Sequence, residues 1–230
     1  MRYSVNWNEK FMVLKLVSDT KSENITVSSP FSTETRTEGE GDYPMGEWIC
    51  AGDDDGRIAF LCDSLFSYSR KGSEIGLSIL RSCIYGDLRM GEFEPDADHD
   101  ILEQGITEGT VRVLMAQGSI GESGIAAQAA ALNNPPIVLC DANHDGIYGW
   151  TDQFMKLSGE GVSVSAVKEW EDGREDVLRV YEYAGKSVTA SLTWLGKTYE
   201  IALAPYEIKT LKVTESGLEE LYIIEDLPIA

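Results

Sequence analysis

The sequence predicts an all-β protein with one short helix, and three observations lead there. Apolar and polar residues alternate in short runs, the period of half-buried strands. Turn-forming pairs and glycines separate these runs at the spacing of a β-sandwich. A single stretch, Gly121–Asn134, departs from that period: Ile125, Ala126, Ala129, Ala130 and Leu132 make a small apolar helical face.

Taken in order, Tyr3, Val5 and Trp7 alternate within a first strand, Arg2–Trp7, and Phe11–Ser18 reads as a second, more buried one. Asp19–Glu23 is a polar turn before a strand over Ile25–Ser28. Thr33–Asp42 is polar and lacks periodicity, so it reads as an exposed loop. Glu47–Ala51 and Arg57–Cys62 form a hairpin around Asp53-Asp54-Asp55-Gly56, a turn sequence that can also be drawn as a cation site. A Gly72-Ser73 turn precedes a long strand over Glu74–Ser82. Asp87–Asp100 is a long acidic loop with Glu92, Glu94, Asp96, Asp98 and Asp100, read as a solvated excursion. The helix stops at Asn133-Asn134-Pro135-Pro136, because proline cannot continue it and restricts its predecessor.

Beyond the helix, Gly161–Val213 holds several strands. Val162, Val164 and Ala166 share a face; Asp172-Gly173 turns the chain; Leu178 and Val180 lie on one face of the next strand, with Tyr181 and Tyr183 on the other. Ala184-Gly185 turns again before Val188, Ala190, Leu192 and Trp194 alternate. Leu195-Gly196-Lys197 makes a third turn, and Pro205 interrupts Thr198–Ala204 before Glu207–Val213. Leu221–Ile224 is an apolar run able to add an edge strand. The expected division is a large sandwich portion over 1–135, a linker over 136–159 and a small sandwich with a tail over 160–230.

The formal net charge is −20, from 19 basic and 39 acidic residues. Polyphosphate partners need cations, so nucleic acid is not an expected partner, nor is an anionic membrane surface. Neutral sugars are indifferent to that charge. Cys50, Cys62, Cys83 and Cys140 stand singly, and three lie in apolar runs, which favours reduced, buried thiols. No run approaches the roughly 20 apolar residues of a membrane-crossing helix, and the N-terminus has no apolar signal region, so the expectation is a cytoplasmic chain.

The same residues carry a resemblance. Ser165-Ala166-Val167-Lys168, Glu171-Asp172, Leu178-Arg179-Val180-Tyr181-Glu182 with Gly185, and Pro205-Tyr206-Glu207-Ile208-Lys209-Thr210-Leu211 follow one another in a distinctive order. Upstream stand Asp63-Ser64, Tyr68, Lys71-Gly72 and Leu77-Ser78-Ile79-Leu80-Arg81-Ser82 with Ile84-Tyr85. Glu103-Gln104-Gly105, Val111–Met115 and Leu132-Asn133-Asn134-Pro135 continue the series. From about Arg2 to Val213 the chain resembles the C-terminal β-domain region of the glycoside hydrolase family 38 α-mannosidases. Cys62 and Cys83 depart from that pattern, standing where the family commonly has Asn and Pro.

The resemblance implies a galactose-mutarotase-like (super)sandwich portion, its N-terminal strands missing, followed by a smaller C-terminal β-sandwich. It also implies a parent enzyme whose N-terminal α/β domain holds a zinc ion and an aspartate nucleophile; this sequence has no counterpart of the zinc-binding motif. No catalytic residue and no cofactor are therefore assigned to the chain itself. Arg81 is the carbohydrate or domain-interface candidate, since related enzymes bring an arginine near this strand end to the sugar pocket. The competing reading is a strand-end arginine in a structural ion pair.

Asp141–Asp152 fits a calcium loop, with oxygen donors at alternate positions and glycine at the bend. Such loops pass directly into a helix, whereas Gln153–Leu157 leads shortly to Gly159 and strand patterning, so a polar turn is preferred and no metal ligand is assigned. His99 and His144 are too few for a zinc site, and Trp7, Trp48, Trp150 and Trp170 are either core or sugar-stacking residues. The expected function is the non-catalytic β-region of an α-mannosidase-like glycoside hydrolase. Its expected partners are the catalytic domain, mannose-containing glycans and a second copy of the chain. A free-standing carbohydrate-binding module and a calcium-stabilised interaction module are the alternatives.

Overall fold

In the computed structural model, residues 1–8, 13–37, 39–84, 100–140, 145–146, 149, 153–171 and 173–223 are described. The chain forms two units, one of Met1–Ser29, Glu34–Gln117 and Ile125–Asn134, the other of Pro30–Thr33, Gly118–Gly124 and Pro135–Ala230.

The first unit is built from β1 (Arg2–Trp7), β2 (Val13–Asp19), β3 (Ile25–Ser29), β4 (Ser32–Arg36), β5 (Gly41–Pro44), β6 (Trp48–Gly52), β7 (Arg57–Cys62), β8 (Ser67–Lys71), β9 (Glu74–Arg81), β10 (Gly105–Ala116) and α1 (Ile125–Asn133). Six strands form one antiparallel sheet in the order β1-β10-β7-β6-β3-β4, and four form another in the order β2-β9-β8-β5. Between them lies a core to which Ile25, Val27, Ile49, Phe60 and Val111 contribute from the larger sheet and Tyr68, Ile75 and Leu77 from the smaller. Each large apolar side chain buried there contributes about 1.5–3 kcal/mol.

Three features of this unit differ from the sequence expectation. Thr33–Asp42 is no loop: β4 and β5 occupy most of it. Both lie at sheet edges, where a strand needs no apolar alternation, so Thr33-Glu34-Thr35-Arg36 gave no periodic signal. The strand β8 was also not anticipated; Tyr68, fully buried and 5.8 Å from the Tyr43 ring, is its single large core residue. The helix begins at Ile125 rather than Gly121, because Gly124 has φ +72°, outside the right-handed helical region. Its Ile125 and Ala129 are buried, and Asn133 Nδ2 donates to Cys62 O at 3.1 Å, fixing the helix end on β7.

The second unit comprises β11 (Met155–Ser158), β12 (Val162–Glu169), β13 (Asp176–Glu182), β14 (Val188–Trp194), β15 (Lys197–Leu203), β16 (Ile208–Thr214) and β17 (Gly217–Leu221). Sheets ordered β11-β14-β15 and β12-β13-β16-β17 enclose Leu178, Val180, Leu192, Ile201, Leu203 and Leu211. Leu195 and Gly196, both at positive φ, make the two-residue β14–β15 turn whose twist matches the flanking strands. The edge strand expected over Leu221–Ile224 lies slightly earlier, as β17 on β16.

Glu182 ties this unit together. Its side chain is fully buried, and its two carboxylate oxygens accept N–H bonds from Ala184 (2.7 Å), Gly185 (2.9 Å) and Tyr206 (2.9 Å). Two loops that follow different strands are thereby closed on one side chain. Gly185 has φ +78°, and a Cβ there would stand 2.6 Å from Tyr206 Oη, so the position requires glycine on both counts.

Replacing Glu182 by Gln keeps the shape but sets an NH₂ group against a backbone N–H. We expect a loss of about 2 kcal/mol, read from urea denaturation, since a buried donor is left unpaired. A change below the error of the fit would show that the loops do not depend on the carboxylate.

The described cysteines are all free; Cys50 and Cys62 are buried, and Cys140 is exposed. Burial pushes the Cys62 thiol up to about 12 and raises Cys50 as well. With a disulfide reagent at pH 8, Cys140 should react at once, and Cys50 and Cys62 only on unfolding. Rapid loss of all four thiols would contradict this packing.

Candidate functional site

At one end of β9 three segments of the first unit meet. The strand ends at Arg81, which pairs with Val13 of β2. Ser82 turns inward and is almost fully buried; its Oγ accepts from Trp7 Nε1 at 3.3 Å. The chain then bends, Cys83 N–H donating to Arg81 O at 3.0 Å. Leu102 N–H donates to Cys83 O at 2.8 Å, and Ile84 bridges to Ile101, so residues 100–105 return alongside 81–84.

Glu103 occupies the left-handed region at φ +54°, and its carboxylate accepts the backbone N–H of Arg81. A non-glycine residue at positive φ is uncommon outside turns, and here the side-chain bond accompanies it. Gly105, two residues on, faces Trp7 across the β1–β10 ladder, and open space lies where its Cβ would be. The rim thus combines an exposed guanidinium, a carboxylate and a half-buried indole within one unit. Such a set donates to and accepts from hydroxyl groups while offering an apolar ring, the chemistry that holds neutral polyols. Among the described residues no ion pair to the Arg81 guanidinium is formed.

A second polar cluster lies at the start of β1. Asp63 accepts from Thr110 N–H at 2.8 Å and from Ser64 Oγ at 3.0 Å, and the Tyr3 hydroxyl shares a hydrogen bond with Ser64 Oγ at 2.9 Å. Burial acts to raise the Asp63 carboxyl, but the bonds from Thr110 and Ser64 outweigh it and hold it below its ordinary value. Tyr3 is raised, chiefly by burial. An open cleft of about 490 Å³ is lined by Arg2, Tyr3, Asp63 and Glu108.

The remaining candidates fall elsewhere. Asp53 is a turn residue: its Oδ1 accepts from the N–H groups of Asp55 (3.1 Å) and Gly56 (3.3 Å), closing the β6–β7 hairpin. Of Asp141–Asp152 only Asp145, Gly146 and Gly149 are among the described residues, so the calcium reading lies outside them, as do His99, His144, Trp150 and most of the acidic loop. Trp48 is core, and Trp170 is half-buried with Lys212 Nζ 4.0 Å from its ring centre. Among the described residues no three His, Cys, Asp or Glu side chains converge as metal ligands.

Sequence reasoning quoted Glu103 and Glu182 but gave neither a role. Both carboxylates accept backbone N–H groups from distant or turning segments, an arrangement without a period. The available signal is glycine: Gly185, three residues after Glu182, marks a close approach to Tyr206, and Gly105, two residues after Glu103, marks a positive φ of +92°.

No protein-family profile matches the chain. It is 26% identical over 234 residues to "Alpha-mannosidase G" of Dictyostelium discoideum, a match covering 95% of this chain and 19% of that protein. The chain therefore spans about a fifth of that relative's length. Among solved structures, a glycosyl hydrolase family 38 protein from Enterococcus faecalis superposes with TM-score 0.77 at 16% identity over 92% of this chain and 27% of its own. An α-mannosidase from Enterococcus faecalis V583 gives TM-score 0.74 at 15% identity, with the same coverage. The chain resembles a partial region of these larger proteins, and the shared fold is all-β.

If Glu103 holds the rim, Glu103→Ala should speed exchange of the Arg81 amide at least tenfold and cost about 1 kcal/mol of stability. Hydrogen exchange read by NMR tests this; an unchanged Arg81 amide would mean the rim is held otherwise.

Proposed function

We propose that this chain is the C-terminal β-region of an α-mannosidase-like glycoside hydrolase. In this reading it performs no bond cleavage itself. It braces the catalytic domain and presents the rim of Arg81, Glu103 and Trp7 as one wall of a sugar cleft. The observation that carries the reading is the 26% identity to an α-mannosidase over 95% of this chain, against 19% of the relative. A cytoplasmic setting suits the free thiols.

Physical chemistry supports the rim's part in it. Arg81 ends a paired strand, and its neighbour Ser82 is buried, so the guanidinium projects from a fixed base rather than a mobile loop. Guanidinium donors suit sugar hydroxyls, and a neutral substrate experiences little of the −20 net charge. The acidic surface serves solubility.

The test is made on the complete enzyme, with an α-mannoside substrate. Arg81→Ala should lower kcat/KM about tenfold or more, the loss expected when a hydrogen bond from a charged donor is removed. Arg81→Lys should recover part of it. Unchanged kinetics would remove Arg81 from the cleft. A coding sequence around this chain that encodes no catalytic domain would overturn the parent-enzyme reading, and saturable mannoside binding by the chain alone would then favour a free-standing sugar-binding module.

A further inference from the structure

At the end of β9 remote from Arg81, three segments of the first unit enclose a polar cleft. Glu74 opens β9 opposite Asp19, whereas Arg81 closes it opposite Val13. The strand's length sets those ends more than about 20 Å apart. The cleft holds about 790 Å³ and is lined by residues within 19–22, 51–58 and 115–117.

Its walls are bonded to one another. Asn24 Nδ2 donates to Gly52 O at 2.8 Å and Gly52 N–H to Asn24 O at 2.9 Å, joining the segment after β2 to the β6–β7 hairpin. Gln117 Nε2 donates to Asp55 O at 3.1 Å, joining the end of β10 to the same hairpin. A Cβ on Gly52 would stand 2.3 Å from Gly56 O, so glycine lets that hairpin close tightly. Thr20 N–H and Oγ1 both donate to Ser73 O, at 3.0 and 2.8 Å. Lys21 occupies the left-handed region at φ +61°, and its N–H and its ammonium both bond to Asp19. A cleft fixed in this way loses little freedom when a ligand enters.

Charge decides what the cleft can take. Arg57 lines it with a side chain only 4% exposed, paired at 2.6 Å with Asp54, whose side chain is 75% exposed. Arg57 and Lys21 thus face Asp19, Asp53 and Asp54. An anion meets the carboxylates and a cation meets the guanidinium and ammonium, so neither is favoured, whereas a neutral ligand is indifferent to both. Hydrogen-bonding capacity remains. Among the described residues Gln117 Oε1 and Asp53 Oδ2 accept nothing, and Lys21 has N–H groups beyond the one on Asp19. The Ser22 hydroxyl accepts from Asn24 N–H at 3.2 Å, leaving its own proton to donate. Ile58 and Met115 add apolar surface. Donors and acceptors beside a small apolar patch match a sugar ring, with hydroxyls at its edge and C–H groups on its faces.

We propose that this cleft binds a neutral sugar of about one or two rings, held by Lys21, Ser22, Asp53 and Gln117 with Ile58 and Met115 against a ring face. The site stands on the residues of the cleft alone. Only the expectation that an α-mannoside is preferred rests on the α-mannosidase-like reading.

The test titrates methyl α-mannoside, α-linked mannobiose, cellobiose and glucuronate into this chain, with backbone amides followed by NMR. The neutral sugars should shift the Lys21, Gly52 and Gln117 amides saturably, mannobiose binding most tightly. Glucuronate should bind about tenfold more weakly than methyl α-mannoside, because it meets the carboxylates. Lys21→Met alters a side chain that is 83% exposed, so the fold is kept, and should weaken mannobiose binding about fivefold or more. Arg81→Ala should leave it unchanged. Absence of a saturable shift at these amides with every neutral sugar would overturn the site, as would glucuronate binding as tightly as methyl α-mannoside or unchanged affinity in Lys21→Met. Cellobiose binding more tightly than mannobiose would support the site and count against the α-mannosidase-like reading. Lower kcat/KM in the Arg81→Ala enzyme with no titration at the cleft would overturn the cleft alone, so the two failures are distinguishable.

Discussion

Every backbone N–H and C=O withdrawn from water must find a partner, and the fold is organised by how each loop and strand edge meets that demand. Ladders satisfy most of it. Where they end, carboxylates take over: Glu182 accepts three amides in the second unit, and Glu103 accepts the Arg81 amide in the first. An ionised carboxylate suits the task because it offers several lone pairs and bonds to it are stronger than neutral ones. Burying Glu182 without those amides would be costly; with them, the desolvation is offset and two loops are fixed together.

The same demand bears on the sheet edges. At β17 and β4 the edges are short, with Lys, Glu or Arg side chains in or beside them, the usual protection against unwanted pairing. In β10, Arg112 gives similar protection, while Val113 and Met115, beside which no strand lies among the described residues, stand exposed on the face that elsewhere builds the core. At the rim around Arg81, in contrast, the backbone N–H groups of Arg81, Cys83 and Leu102 are bonded and the Arg81 side chain is exposed.

Much of the fold was legible in the sequence because period two survives wherever one face of a strand is buried. Leu178 with Val180, and Ala190 with Leu192, announce their strands directly. Polar edge strands such as Thr33–Arg36 escape that test, and β8, with one large buried residue, escapes it too. Gly124 shortened the helix through its φ angle, which composition alone does not reveal. The site was legible only through resemblance: Arg81 has an ordinary strand-end context, and its contact with Glu103 joins residues 22 positions apart through a backbone atom. No spacing rule anticipates such a pair.

That contrast also explains why the quoted motif pieces persuade in combination. Glu182 with Gly185, and Pro205-Tyr206, looked like separate fragments of a signature; in space they are one device, because the Glu182 carboxylate binds the Gly185 and Tyr206 amides and a Cβ at 185 would strike Tyr206. Arg81-Ser82 and Glu103-Gln104-Gly105 are likewise joined, with Trp7 bonded to Ser82. These pieces therefore specify a backbone arrangement before they specify any chemistry. A chain can carry them and remain a scaffold, which is why likeness to a hydrolase over these residues speaks for a shared architecture, while the sugar contact we propose depends on the outward side chain of Arg81.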